Sequence, residues 1–228
     1  MKKGMLSCLV VLLSTATVSF AQLAIGAKAG INLATINDYI IFTDANGEEV
    51  DDRLFIGLSF GAVAEVGLTK NFYLQPEISY TQKGIGWDDN NLSNVNIRTT
   101  QRFDYLDVLA LAKYKFTGEK IGGYVVAGPQ LGYLIDGKTI YDGSFQDEPI
   151  DDVQDVDVSI DVFNRWEFSV AVGGGLVVPL SSQLEPFLDI RYTHGLTDFW
   201  DPGIVNDPNT TNRGVSITVG ALFSLAKE

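Results

Sequence analysis

The chain has 228 residues, 46% of them hydrophobic and 11% aromatic, with 23 glycines, one cysteine, one histidine and a formal net charge of −13. That length suits one domain, and the acidic balance leaves no basic stripe to neutralise phosphates, which excludes nucleic acid as a partner. A lone cysteine and a lone histidine exclude a disulfide framework and a transition-metal cluster.

Residues 1–21 read as a secretory signal peptide. Lys2 and Lys3 form the positive start, Met5 to Val18 the apolar stretch, and Ser19-Phe20-Ala21 a small-x-small cleavage site before Gln22. Cys8 is badly placed for a lipoprotein cleavage box and leaves with the signal. The mature domain is then 22–228, and losing Lys2 and Lys3 takes its charge to −15. No later segment offers the roughly 18 uninterrupted apolar residues of a membrane-spanning helix.

Successive side chains of a strand point to opposite faces, so period-2 alternation marks strands. The first strand is Leu23 to Ala34, with Leu23, Ile25, Ala27, Ala29, Ile31 and Leu33 on one parity and Gly26, Lys28, Gly30 and Asn32 on the other. A long polar connection, 35–53, leads to the second, Leu54 to Val66, where Ile56, Leu58, Phe60, Ala62, Ala64 and Val66 alternate with Gly57, Ser59, Gly61 and Glu65. A short exit, 67–71, gives the third, Phe72 to Lys83, and a second long connection, 84–102, precedes the fourth, Phe103 to Phe116. A short turn, 117–122, leads to the fifth, carrying Val125, Ala127, Pro129, Leu131, Tyr133 and Ile135 on one parity. The third long connection, 136–163, is the most acidic part of the chain.

The sixth and seventh strands form the clearest hairpin. Trp166, Phe168, Val170, Val172, Leu176 and Val178 share one parity before a turn at 179–183, and Leu184, Pro186, Leu188, Ile190 and Tyr192 share one after it. A fourth long connection, 196–212, precedes the eighth strand, where Val215, Ile217, Val219, Ala221, Phe223 and Leu225 alternate with Gly214, Ser216, Thr218 and Gly220.

Eight strands of about ten residues, joined alternately by long and short connections, predict an all-β, antiparallel, up-and-down transmembrane barrel with four long extracellular loops and three short periplasmic turns. Backbone groups in lipid must be satisfied internally, so strands span a bilayer only as a closed barrel. The bulky parity then faces lipid in the outer membrane. Because strand direction alternates, Tyr80, Tyr133, Trp166 and Tyr192 fall near the long-loop rim and Phe72, Tyr114, Phe116 and Phe223 near the short-turn rim, as two aromatic girdles.

With these strands placed, Tyr105-Leu106-Asp107-Val108 through Lys113-Tyr114, Gly128-Pro129-Gln130, Gly173-Gly174-Gly175, and Arg191-Tyr192 followed by Gly195-Leu196-Thr197 carry a resemblance. The chain resembles the porin-like outer-membrane β-barrel domain of Gram-negative bacteria that includes the PorT-like proteins, over residues 22–225. The resemblance implies a small eight-stranded barrel, no common enzymatic activity, no cofactor, and insertion by the barrel assembly machinery. Barrels of this kind usually end on an aromatic residue which that machinery reads; here Phe223 is followed by Leu225-Ala226-Lys227-Glu228.

Lys28, Glu65, Glu77, Lys83, Asp107, Lys113, Lys115, Arg165, Glu167, Glu185, Asp189 and Arg191 all fall on the inward parity. An eight-stranded interior has room for side chains and little else, so these charges must pair across the lumen as an ionic plug that fixes register; a gated pore or proton path is the competing reading. His194 falls on the outward parity at the upper end of its strand, with Thr193 and Asp198 nearby but no third partner, and reads as a rim histidine and not a catalytic base. Asp151, Asp152, Asp155, Asp157 and Asp161 offer hard oxygens for calcium or a face for a partner, although an EF-hand fails because Ile160 stands where its glycine is required. Val156, Val158, Ile160 and Val162 keep the outward parity and predict that the sixth strand starts above the membrane.

The function this predicts is a non-enzymatic envelope protein with a structural role or an extracellular ligand at its loops. The alternatives are a secreted, lipocalin-like carrier with the bulky parity inward around an apolar ligand, and a component of an outer-membrane secretion apparatus.

Overall fold

The computed structural model describes residues 23–37, 52–89, 95–116, 118, 121–145, 148–160, 163–201 and 210–225. The signal-peptide expectation for 1–21 lies outside them. Nine strands follow in order: β1 (Leu23–Ile36), β2 (Asp52–Gly67), β3 (Phe72–Asp89), β4 (Val95–Phe116), β5 (Gly122–Phe145), β6 (Glu148–Asp155), β7 (Trp166–Val177), β8 (Leu184–Gly195) and β9 (Asn212–Ser224). Every pairing is antiparallel, and eight of the strands form a ring. β1 pairs with β2 and β9, β3 with β2 and β4, β5 with β4 and β7, and β8 with β7 and β9. Closure leaves the ring without a free edge, so its backbone groups are paired mainly within the sheet.

The ninth strand was not expected. β6 stands outside the ring as the return arm of a hairpin on the upper half of β5, pairing Lys138 with Asp155 through to Phe145 with Glu148. The third connection is therefore largely strand. The second is too, since β3 continues to Asp89 and β4 starts at Val95, with Asp89 opposite Ile97. The polar composition of these stretches had read as loop. Above the bilayer the outward face meets water and carries Asp88, Arg98 and Thr100 in place of bulky apolar residues, so the alternation loses its apolar side.

The predicted upward extension of the sixth strand through Val156–Val162 does not form. β7 starts at Trp166, 156–157 is irregular, and Val158 lies in a turn and is buried. Ile160 is exposed, and residues 161–162 are outside the described part of the chain. The short connections stay short: Leu68 and Thr69 bond back to the Phe72 carbonyl, and Leu180 bonds to that of Leu184.

Candidate functional site

Parity assigns the two faces. Ile25, Ile78, Val170 and Ile190 are half exposed on the outside, whereas Lys28 at 7% and Glu77 at 4% are buried inside. A lipocalin-like arrangement requires the opposite, so that alternative is overturned: the cavity side carries charge and the exterior carries the bulky apolar side chains.

Three layers of paired charge fill the interior. In the middle, Glu77 of β3 accepts from the Arg191 guanidinium through both oxygens, at 2.9 and 3.1 Å, and from Lys28 of β1. Arg191 also pairs with Asp189 at 3.1 Å, and the Tyr124 hydroxyl donates to Asp189 at 2.9 Å. One layer higher, the Lys83 ammonium donates to Glu167 at 2.7 Å and lies 3.4 Å from Asp107. Glu167 accepts in addition from Ser169 at 2.6 Å and from Asn212. Toward the other end, Glu65 receives Lys113 at 2.8 Å and also Lys115, which reaches Glu185 at 2.9 Å. A bidentate guanidinium–carboxylate pair fixes geometry as well as charge. The pairs Glu77–Arg191, Lys83–Glu167 and Lys115–Glu185 run between distant strands and so hold the register of the ring.

Arg165 does not join these layers. It precedes β7, its guanidinium donates to the Leu134 carbonyl at 3.3 Å, and it lies over the Tyr133 ring at 4.7 Å. Glu185 and Lys115 sit nearer the mouth, the Glu185 side chain being 36% exposed.

Sequence parity alone underrated the inward aromatics. Lys83 lies 4.2 Å from the Tyr105 ring centroid and Lys113 3.9 Å from that of Tyr124, so each ammonium rests on a negative ring face. Tyr105 shares the inward parity of Asp107, and Tyr124 that of Gly128, Gln130 and Gly132 on β5, and that was the available signal. Room for such rings comes from glycine. A Cβ on Gly175 would meet the Tyr124 hydroxyl at 2.5 Å, and one on Gly220 would overlap the Phe187 ring.

Apolar clusters pack beside and above the charged layers. Among the middle and lower layers lie Val63, Leu109, Leu111, Tyr124, Val126, Ala171, Val177, Phe187 and Leu222. Above lie Ile36, Ile85, Phe103, Tyr105 and Leu134 from the strands, met by Val158, Phe199 and Trp200 from the connections. Phe103 packs on Phe199 at 4.7 Å and Phe163 stacks on Trp200 at 5.2 Å. Between the layers remains a polar cavity of about 40 Å³, bordered by Lys28, Lys83, Asp107, Glu167 and Arg191, enough for only a few water molecules.

The outer surface carries the rings at two heights. On the short-turn side Phe72, Tyr114 and Phe116 pack in sequence at 4.8 and 4.9 Å, with Phe223 exposed on β9. On the other side Tyr133 meets Trp166 at 4.7 Å, Tyr80 meets Phe60 at 5.0 Å, and Tyr192 stacks on His194.

Residues 20–201 match the family described as the outer membrane protein beta-barrel domain. The chain belongs to that family. Similar solved structures include Neisserial surface protein A (NspA), at 13% identity over 89% of this chain and 97% of that one with a TM-score of 0.45. OprG of Pseudomonas aeruginosa matches at 11% over 90% and 96%, with a TM-score of 0.48. Ail, the attachment invasion locus protein of Yersinia pestis, solved with the heparin analogue sucrose octasulfate, matches at 13% over 90% and 98%, with a TM-score of 0.42. No curated protein matches the chain.

An outer-membrane barrel sets its apolar face against lipid and its long connections on the extracellular side. The upper apolar cluster and the β5–β6 hairpin are then extracellular. His194 sits at the upper rim with its Nδ1 3.3 Å from the Tyr192 hydroxyl; Thr193 lines the internal cavity instead. Asp151, Asp152 and Asp155 lie exposed on β6, Asp155 3.7 Å from Lys138, and Asp157 accepts from the Ser159 amide at 3.0 Å. Asp161 is outside the described residues. Among those described, no three carboxylate, histidine or cysteine side chains gather as a metal site.

Proposed function

We propose that this chain is a non-enzymatic integral outer-membrane protein whose lumen is closed to solutes and whose extracellular sheet binds a partner. What carries the reading is the interior: ion pairs and two apolar clusters pack it, and the polar pocket among them measures about 40 Å³. A barrel with no through-passage acts by its structure or by what it presents above the membrane. Refolded protein in a planar bilayer is expected to give no steady current, and steady ion conductance would refute the closed lumen.

The surface best suited to a partner is β6. Among the described residues it pairs only with β5, and its Glu148, Asp151, Asp152 and Asp155 are exposed. An unpaired edge offers main-chain hydrogen bonds to an incoming strand, and these carboxylates select a basic one. Binding of a lysine-rich peptide to the protein in lipid discs is expected to weaken with salt and with Asp151, Asp152 and Asp155 changed together to Asn. Binding indifferent to both would remove β6 as the surface. Export through a 1–21 signal peptide, insertion by the barrel assembly machinery and membership of the PorT-like branch complete the proposal.

A further inference from the structure

The free edge of β6 is not uniform along its length. The Val156 amide donates to the Gly137 carbonyl at 2.9 Å, in the same register that sets Lys138 opposite Asp155. Direct bonds between opposite residues recur at every second position of an antiparallel pair. The main-chain groups of Gln154, Asp152 and Ile150 therefore turn toward β5, and those of Asp155, Val153 and Asp151 turn to the free side. Pro149 falls on the free side too, where its missing N–H interrupts no bond to β5.

The three residues that offer their backbone also share the outward face of the extracellular sheet, and three rows of side chains cross that face to reach them. In the first row Asp88, Arg98, Asp142 and Asp151 stand opposite one another on successive strands. Arg98 Nε donates to Asp88 at 3.3 Å, and Asp142 lies on the other side of Arg98. The signs alternate until Asp151, which meets a second carboxylate. In the next row Thr100 and Ile140 lead to Val153, which is 53% exposed. In the last, Lys138 already answers Asp155 at 3.7 Å. Like charges directly opposite each other destabilise a sheet, whereas opposite charges and apolar pairs stabilise it. A strand added at this edge gains most from a cation beside Asp151 and an apolar side chain beside Val153.

We propose, on the reading that β6 is the partner surface, that the strand it captures carries a basic and an aliphatic residue two positions apart, the first opposite Asp151 and the second opposite Val153. Residues two apart on a strand share a face, so both are read on the outward side while the backbone groups of Asp151, Val153 and Asp155 hold the strand. The partner is a segment of another protein. A second copy pairing antiparallel through the same edge, centred on Val153, would set Asp151 against Asp155, carboxylate against carboxylate.

The test uses the full chain in lipid discs and two fluorescent, threonine-rich peptides of identical composition, each with one lysine and one valine, titrated by anisotropy. In one peptide the lysine and valine are two positions apart, and in the other three, which puts them on opposite faces. The first is expected to bind about fivefold more tightly, a comparison that needs no variant. Asp151→Asn should weaken the first peptide about fivefold as well, and Asp155→Asn less than about twofold, because Lys138 already balances Asp155. Equal affinity of the two peptides, or equal losses from the two substitutions, would overturn the pattern while leaving β6 as the surface. Binding that is absent for both peptides, or unchanged when Asp151, Asp152 and Asp155 are all Asn, would remove β6 itself and the pattern with it.

Discussion

Mid-barrel and cap fill the same inward parity by opposite means. At mid-barrel Lys28, Glu77, Asp189 and Arg191 meet across the lumen as charges. Above them Ile85, Phe103 and Leu134 meet Phe199 and Trp200 as apolar surface. A buried ion pair gains little over a well-packed apolar substitute, yet removing one partner strands a charge and is expensive. An apolar cluster loses stability in proportion to the surface removed and can collapse around the loss. The charged layers therefore specify which strands face each other and fail abruptly. The cap closes the end and fails by degrees.

The harshest way to break this contrast is Glu77→Ala, which leaves Lys28 and Arg191 without their shared acceptor. We expect a loss of about 3–5 kcal/mol in the urea unfolding of protein refolded into vesicles. An effect below about 1 kcal/mol would mean water already screens the layer, as for an exposed pair. Phe199→Ala should cost about 3 kcal/mol, the low end for a buried ring beside solvent. Hydrogen exchange should rise in the cap and not in the mid-barrel amides; spreading to β3 amides near Glu77 would deny the independence of the two regions.

Ser169→Ala removes one donor to Glu167 while Lys83 and Asn212 remain, so a loss of about 1–2 kcal/mol in the same assay is expected. The smallest effect lies on the extracellular sheet. Slight burial pushes the Asp88 carboxyl up, but the hydrogen bonds and charge of Arg53 and Arg98 outweigh it and hold it below the ordinary value of 3.8. A carboxyl depressed on folding stabilises above its unfolded pKa, and that contribution disappears as pH falls through the folded one. Because this pair is partly exposed, the contribution should stay under about 1 kcal/mol. Asp88→Asn should flatten only that acid-side part of the stability profile.

The two regions also differ in how far the sequence discloses them. The mid-barrel charges were legible because each lies on the small parity of a regular strand. Arg165 broke the rule because strand geometry starts one residue later, at Trp166, and parity says nothing beyond a strand's end. The cap was not legible: Val158, Phe199 and Trp200 come from connections with no period, and only the closure of the ring brings them over Phe103. β6 was hidden for a related reason. Pro149 and four carboxylates read as loop, yet an edge strand in water tolerates proline and is kept soluble by charge.

The account stands on the bulky parity touching acyl chains while the charged parity looks into the lumen. Spin labels placed singly at Val170, Ala171 and Ile190 in the vesicle-refolded protein test this directly, read by collision with oxygen against a water-soluble relaxation agent. Labels at Val170 and Ile190 are predicted to report hydrocarbon, and the label at Ala171 is predicted to report neither agent. Water at Val170 and Ile190 would contradict the orientation.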